Sequence, residues 1–257
     1  MEVRQVNAGN GWNWIVDGYN LFRQSPVIWI TLIFIYVLIA MVLSIIPVFG
    51  PIVLNLLAPV FIAGFMMGCK AIGEGDELEI NHLFAGFKLH TSRLITVGGI
   101  YLAGIILIVG IVFVVTGSAE LIGEHAAAQN AHNELSAAES GKVLLTLLIA
   151  LAAILPLTMA YWFAPALVVF HDLLPVEALK LSFRACLRNI MPFLVYSLII
   201  LVMMMPLAVL AQVMGSLAII PLGLTLLVVI PTMTASLYAS YKDIFNPPPI
   251  AGGEIAL

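Results

Sequence analysis

The sequence predicts an all-α, polytopic membrane protein. Six transmembrane helices pair into three hairpins, and a short amphipathic segment lying in the membrane plane introduces each hairpin. Three observations carry this reading. The chain is 62% hydrophobic and 9% charged, with a mean hydropathy of +1.12, whereas an ordinary soluble domain is about 45–50% apolar and about 25% charged. Six apolar stretches each approach or exceed the roughly 20 residues that a helix needs to cross a bilayer. When these are threaded in order, nine of the ten Lys and Arg residues fall on one side.

The stretches run over 26–46, 51–70, 94–116, 143–170, 190–212 and 217–241. Their apolarity is continuous rather than alternating, which selects helices over the strands of a membrane barrel. The first begins after some 25 mixed residues and is too long for the apolar region of a cleavable signal, so it is expected to remain as a span. Arg4 and Arg23 precede the first span. Lys70, Lys88 and Arg93 follow the second, Lys180, Arg184 and Arg188 the fourth, and Lys242 the sixth; Lys142 alone lies on the other side. The positive-inside rule therefore places both termini in the cytoplasm. The formal net charge of −4 does not oppose this, because the rule counts Lys and Arg rather than net charge. Cys69 and Cys186 both come at cytoplasmic ends and are expected to be reduced thiols, with no disulfide framework and no metal site.

Before each odd-numbered span lies a segment of helical period. Trp12, Ile15, Tyr19 and Phe22 share a face in the first, Ile80, Leu83, Phe84 and Phe87 in the second, and Leu179, Phe183, Cys186, Leu187 and Ile190 in the third. Aligning Tyr19, Phe87 and Phe183 brings the small residues Gly18, Gly86 and Ser182 into one column. The even spans agree: Pro59 and Pro231 stand at the same distances from Lys70 and Lys242, and Gly64 and Gly68 align with Ser236 and Ser240. The middle unit is weaker, with Pro165 offset and His171-Asp172 where Lys242-Asp243 stands. This self-similarity predicts one integral domain over 1–245 with repeats at 12–72, 79–172 and 175–244, and a flexible tail at 246–257. The competing account is that any series of in-out helices repeats crudely through its aromatic and basic ends. Breakers at Pro47-Val48-Phe49-Gly50-Pro51 predict a tight outer turn, the stretch 212–216 is similarly short, and the acidic loop 117–141 is long.

The spans carry no ionisable residue at mid-depth, which counts against a charged coupling site for protons or sodium. Asn55 is the most polar residue deep in a span. Pro59 removes the amide that would bond the Asn55 carbonyl, so Asn55 is read as a structural polar group rather than a substrate ligand. Small residues four apart, Gly64 with Gly68, Ala160 with Ala164 and Ser236 with Ser240, predict close packing of neighbouring spans. In the outer loop His125 and His132 share a helical face near Glu124, Glu134 and Glu139; solubility explains this acidity better than metal binding does. His82, His90 and His171 are interfacial.

The most specific local signal is the third amphipathic segment. Pro175 suits its first turn, and Lys180, Arg184 and Arg188 recur every fourth residue along one face. Such a helix suits an interface rich in anionic headgroups, each cation contributing about 1 kcal/mol; the plainer reading is a loop obeying positive-inside topology. Hydrolase, zinc-protease and nucleotide-loop motifs are absent from the sequence.

Gly11-Trp12-Asn13-Trp14 with Gly18-Tyr19, the turn from Ile46 to Pro51, Ala58-Pro59 and the run Ala178-Leu179-Lys180-Leu181-Ser182-Phe183 resemble, over nearly the whole chain, an uncharacterised family of six-span bacterial inner-membrane proteins. The last run is also distantly similar to the membrane domain accompanying some glycerophosphodiester phosphodiesterases. Neither resemblance transfers a catalytic residue, and the second implies at most a scaffold or lipid-associated role. The expectation is a non-enzymatic, multi-pass inner-membrane protein acting as a structural, lipid-associated or assembly factor. Its partners would be membrane lipids, anionic ones among them, with no cofactor and no nucleic acid. The alternative is a transporter or channel whose path runs between the hairpins.

Overall fold

The computed structural model describes residues 3–116 and 137–245. Among them the regular elements are all helical: α1 (Asn10–Gln24), α2 (Pro26–Ser44), α3 (Phe49–Glu74), α4 (Ala85–Lys88), α5 (Thr91–Thr116), α6 (Ala137–Trp162), α7 (Ala164–His171), α8 (Pro175–Arg188), α9 (Ile190–Met214) and α10 (Ile219–Phe245). Short 3₁₀ turns at Ile80–Phe84 and Gly215–Ala218 complete the order. Six spans are long and apolar enough to cross a membrane, with α6 and α7 together forming the fourth. They pair as α2 with α3, α5 with α6–α7, and α9 with α10.

The three introductory segments are separated from their spans by sharp backbone breaks. Ser25 (φ −144°, ψ 58°) divides α1 from α2, whose first turn carries Pro26. Proline is harmless there because the first-turn amide has no helical partner. Asn189 (φ −115°, ψ 34°) divides α8 from α9, and His90 (φ 50°) divides α4 from α5.

The second segment differs from the single amphipathic helix that its periodicity predicts. It is a 3₁₀ turn followed by one turn of α-helix, and of its four apolar residues only Leu83 is fully buried. The local cause is hydrogen bonding and close approach. Glu79 donates its amide to His82 Nδ1 at 2.9 Å, completing a capping box around the turn. Gly86 lies so close to the Val60 carbonyl that a Cβ would collide with it.

The turn between α2 and α3 is as tight as its breakers predict. Phe49 N–H donates to the Pro47 carbonyl at 2.7 Å, while Val48 is held at φ 67°, ψ −53°. This is the γ-turn geometry that β-branched residues rarely accept.

The core sits at the basic end of the bundle. Trp14, Trp29, Leu83, Leu94, Phe163, Leu167, Tyr241 and Ile244 are fully buried there. At the opposite end the spans are far more open, with Val48, Val114 and Val213 between 71% and 83% exposed. Apolar surface of this extent matches hydrocarbon rather than water as the surrounding solvent. Helix α3 is the most enclosed span and touches α2, α5, α7 and α10.

Each introductory segment packs on an even-numbered span: α1 on α10, the 3₁₀ turn and α4 on α3, and α8 on α6. Glycine or serine makes the closest approach each time. A Cβ on Gly18 would stand 2.6 Å from the Thr232 carbonyl and 2.7 Å from the Ser236 amide. Gly86 meets Val60, and Gly64 of the same span would put a Cβ 2.6 Å from the His82 carbonyl. Ser182 meets Met159 and Phe163 through its hydroxyl. The small residues thus pack neighbouring elements within the chain, with Gly64 and Ser236 receiving introductory segments rather than the neighbouring spans that their spacing predicts.

Candidate functional site

Helix α8 presents three different faces. Ala178, Leu179, Ser182, Ala185 and Cys186 are buried against α6 and α7. Lys180, Arg184 and Arg188 form an exposed stripe and, among the described residues, make no ion pair. Val176 and Leu187, on a third side, are about half exposed. The apolar face inferred from periodicity is therefore split. Leu179 and Cys186 enter the core, whereas Leu187 and Ile190 point away from it, because the small residues 178, 182 and 185 make the close helix–helix contact.

Helix α1 repeats that division. Gly11, Trp14, Ile15, Gly18 and Phe22 are buried, while Trp12, Val16 and Tyr19 are exposed, so the single face predicted for 12, 15, 19 and 22 is corrected to two. At about 100° per residue these sets lie roughly a third of a turn apart. The remaining third holds Asn10, Asn13, Asp17, Asn20 and Gln24.

That polar third lines a groove of about 470 Å³ against the end of α10, where Tyr238, Lys242 and Asp243 form the opposite wall. Asp243 organises one end. Its Oδ2 accepts from the side-chain Nδ2 of Asn10 at 2.7 Å and from the Trp14 indole N–H at 2.9 Å, and Arg4 lies 3.5 Å from Oδ1. Asp17 has no hydrogen bond or ion pair among the described residues. Burial and the negative charge of Asp243 push its carboxyl above the usual range, with Lys242 acting in the opposite sense.

The described N-terminal residues are pinned to the same end. Arg4 N–H donates to the Ile244 carbonyl at 3.1 Å. Asn189, fully buried at the α8–α9 joint, accepts the Val6 amide at 2.9 Å and donates to the carbonyls of Arg4 (2.9 Å) and Ala185 (3.0 Å). Every polar atom of that side chain is used, as buried amides require.

Asn55 is bonded within its own helix: Nδ2 donates to the Pro51 carbonyl at 2.9 Å. The Asn55 backbone carbonyl, which Pro59 leaves without its amide, lies against α5, where a Cβ on Gly98 would be 2.8 Å away. The stripe and Asn55 are not brought together. His171 shares a 2.7 Å hydrogen bond with Tyr241, and His90 and Arg93 both face Asp172. Cys69 and Cys186 are free and buried, and burial raises the Cys186 thiol to about 12. His125, His132, Glu124 and Glu134, and the side chain of Glu139, lie outside the described residues. Among the described residues no group of three His, Cys, Asp or Glu side chains is placed to hold a metal ion.

Sequence reasoning missed Asn189, Asp243 and the groove. The available signal was the polar row 10, 13, 17, 20 and 24 at helical spacing, which is interleaved with aromatic positions of the same period.

Six apolar helices, a buried core at the basic end and lipid-matched surface at the other define a multi-pass membrane protein. Its family is shown by a relative. The chain is 32% identical over 257 positions to a probable inner membrane protein of Burkholderia thailandensis, covering 96% of this chain and 94% of that one, and it belongs to that family of inner-membrane proteins. No family model and no solved structure matches it.

Proposed function

We propose that the protein is a non-enzymatic, lipid-associated scaffold of the bacterial inner membrane, acting through its basic end, which faces the cytoplasm together with both termini. The exposed stripe of Lys180, Arg184 and Arg188 carries this reading. It stands on a helix whose second face is buried protein and whose third is exposed apolar side chain, as befits a helix at the junction of protein, lipid and water. The short likeness of residues 178–183 to membrane domains that accompany glycerophosphodiester phosphodiesterases agrees with a lipid-associated role.

The recurrent packing supports a three-unit origin over 12–72, 79–172 and 175–244. Gly18 approaches positions 232 and 236, Gly86 and Gly64 mediate the approach at positions 60 and 82, and Ser182 engages positions 159 and 163. Each segment grips the even span of another unit, which would close the three into a ring.

Replacing Lys180, Arg184 and Arg188 together with Gln tests the function. Removal of about 1 kcal/mol per cation, roughly 3 kcal/mol in all, should reduce retained anionic lipid in native mass spectrometry while insertion persists. Asn55→Leu should leave retention unchanged. Normal lipid retention in the triple variant, with Asn55→Leu abolishing a solute flux, would replace the scaffold by a transporter.

A further inference from the structure

The groove between α1 and the end of α10 is a different surface from the basic stripe and does not depend on it. Its two walls offer unlike charges that are not joined to each other. Asp17 stands on the polar third of α1, and Lys242 on α10; among the described residues neither forms an ion pair. Asp243 is already committed to Asn10, Trp14 and Arg4, so it fixes the groove's end and leaves Asp17 as the free carboxylate. Asn13 and Asn20 add uncharged donors and acceptors along the same wall. A bare cation would satisfy Asp17 and repel Lys242, and a bare anion would do the reverse. A ligand carrying both signs satisfies the two together. The volume of about 470 Å³ suits a small polar group, being within the roughly 300–1,000 Å³ of ordinary ligand sites.

Position narrows the class. Trp12, Val16 and Tyr19 are exposed about a third of a turn from the groove, and exposed Trp and Tyr mark the headgroup level of a membrane. We propose that this groove binds a phosphoethanolamine group, its ammonium donating to Asp17 and its phosphate held by Lys242. The chemistry is shared by the headgroup of phosphatidylethanolamine and by water-borne O-phosphoethanolamine.

The test uses the full chain in nanodiscs of mixed phosphatidylethanolamine and phosphatidylcholine, with retained lipids read by native mass spectrometry. The trimethylammonium of phosphatidylcholine cannot donate a hydrogen bond to Asp17, so wild type should enrich phosphatidylethanolamine. Asp17→Asn should reduce that preference about tenfold, the loss of one charge-assisted hydrogen bond, whereas Lys242→Gln should lower the retention of both lipids alike, because the phosphate it holds is common to them. Asn13→Leu, on the same wall as Asp17, should weaken the preference without altering any charge. Glu177→Gln and the Lys180/Arg184/Arg188 triple Gln variant should leave it intact, which separates this site from the basic stripe. Displacement of the lipid by O-phosphoethanolamine assigns the groove to a water-borne ligand, and retention against it assigns the lipid; either supports the site. Equal retention of both lipids without binding of O-phosphoethanolamine overturns it, as does an unchanged preference in both Asp17→Asn and Asn13→Leu.

Discussion

Ser182 donates its hydroxyl to the carbonyl of Met159 at 2.7 Å, and the same oxygen accepts the amide of Phe163 at 2.9 Å. These two backbone groups are four residues apart, so a side chain from α8 occupies one rung of the helix it packs against. The fourth span breaks there, α6 ending at Trp162 and α7 starting at Ala164, because a group inserted in the ladder relaxes the helix. Cys186 Sγ, 3.4 Å from the same carbonyl, adds a weak second donor.

Ser182→Ala should therefore cost about 2 kcal/mol, since it leaves a buried amide and most of a carbonyl without partners. Thermal unfolding of the detergent-solubilised protein checks this; an unchanged midpoint would mean that the helix re-forms its own rung.

Gly18→Ala should be strongly destabilising. Its Cβ would meet the Thr232 carbonyl and Ser236 amide at 2.6 and 2.7 Å, and both are backbone of α10 with no rotamer to yield. Gly110→Ala is the control: nothing lies within 4 Å of that Cβ, and alanine favours helix by up to about 1 kcal/mol. The two midpoints should move in opposite directions.

Asn189→Ala should release the N-terminal residues more than it destabilises the bundle. It removes both hydrogen bonds to the backbone of Arg4 and Val6. Hydrogen exchange should accelerate at the Val6 amide while the amides of α3 stay protected.

Asp17→Asn should hold or raise the thermal midpoint at neutral pH. The folded protein binds the Asp17 proton more readily than the unfolded chain does, because burial and Asp243 raise its pKa. Wild-type stability therefore falls as pH rises from the unfolded value of 3.8 through the higher folded one. The variant's advantage should be present above that window and absent below it.

Topology can be read by thiol labelling in intact cells. Gly141→Cys is expected to react from outside, and Glu177→Cys only after permeabilisation, as the asymmetry of basic residues requires. The native thiols are unsuitable as inward reporters, because Cys69 is 0% and Cys186 2% exposed. Labelling of Glu177→Cys from outside would invert the threading.

What the sequence determined by itself was the solvent and the number of crossings. Long runs such as 26–44 and 190–214 satisfy their backbone internally, and with so little charge only a bilayer suits them, a constraint that acts residue by residue. The breakers at Pro26 and around Val48 fixed their joints just as locally. The faces of the short segments were decided elsewhere. Whether Trp12 or Trp14 enters the core depends on which side of α1 can approach α10, and that is set by the absence of a Cβ on Gly18 and by the acceptor on Asp243 more than 200 residues away. Likewise the serine that breaks a span, the asparagine that ties down the N-terminus and the groove that sets Asp17 opposite Lys242 each join residues distant in the chain. Periodicity reports that a helix has an apolar side; only packing assigns that side to protein or to lipid, because the two solvents are alike in polarity and differ only in the shape they present.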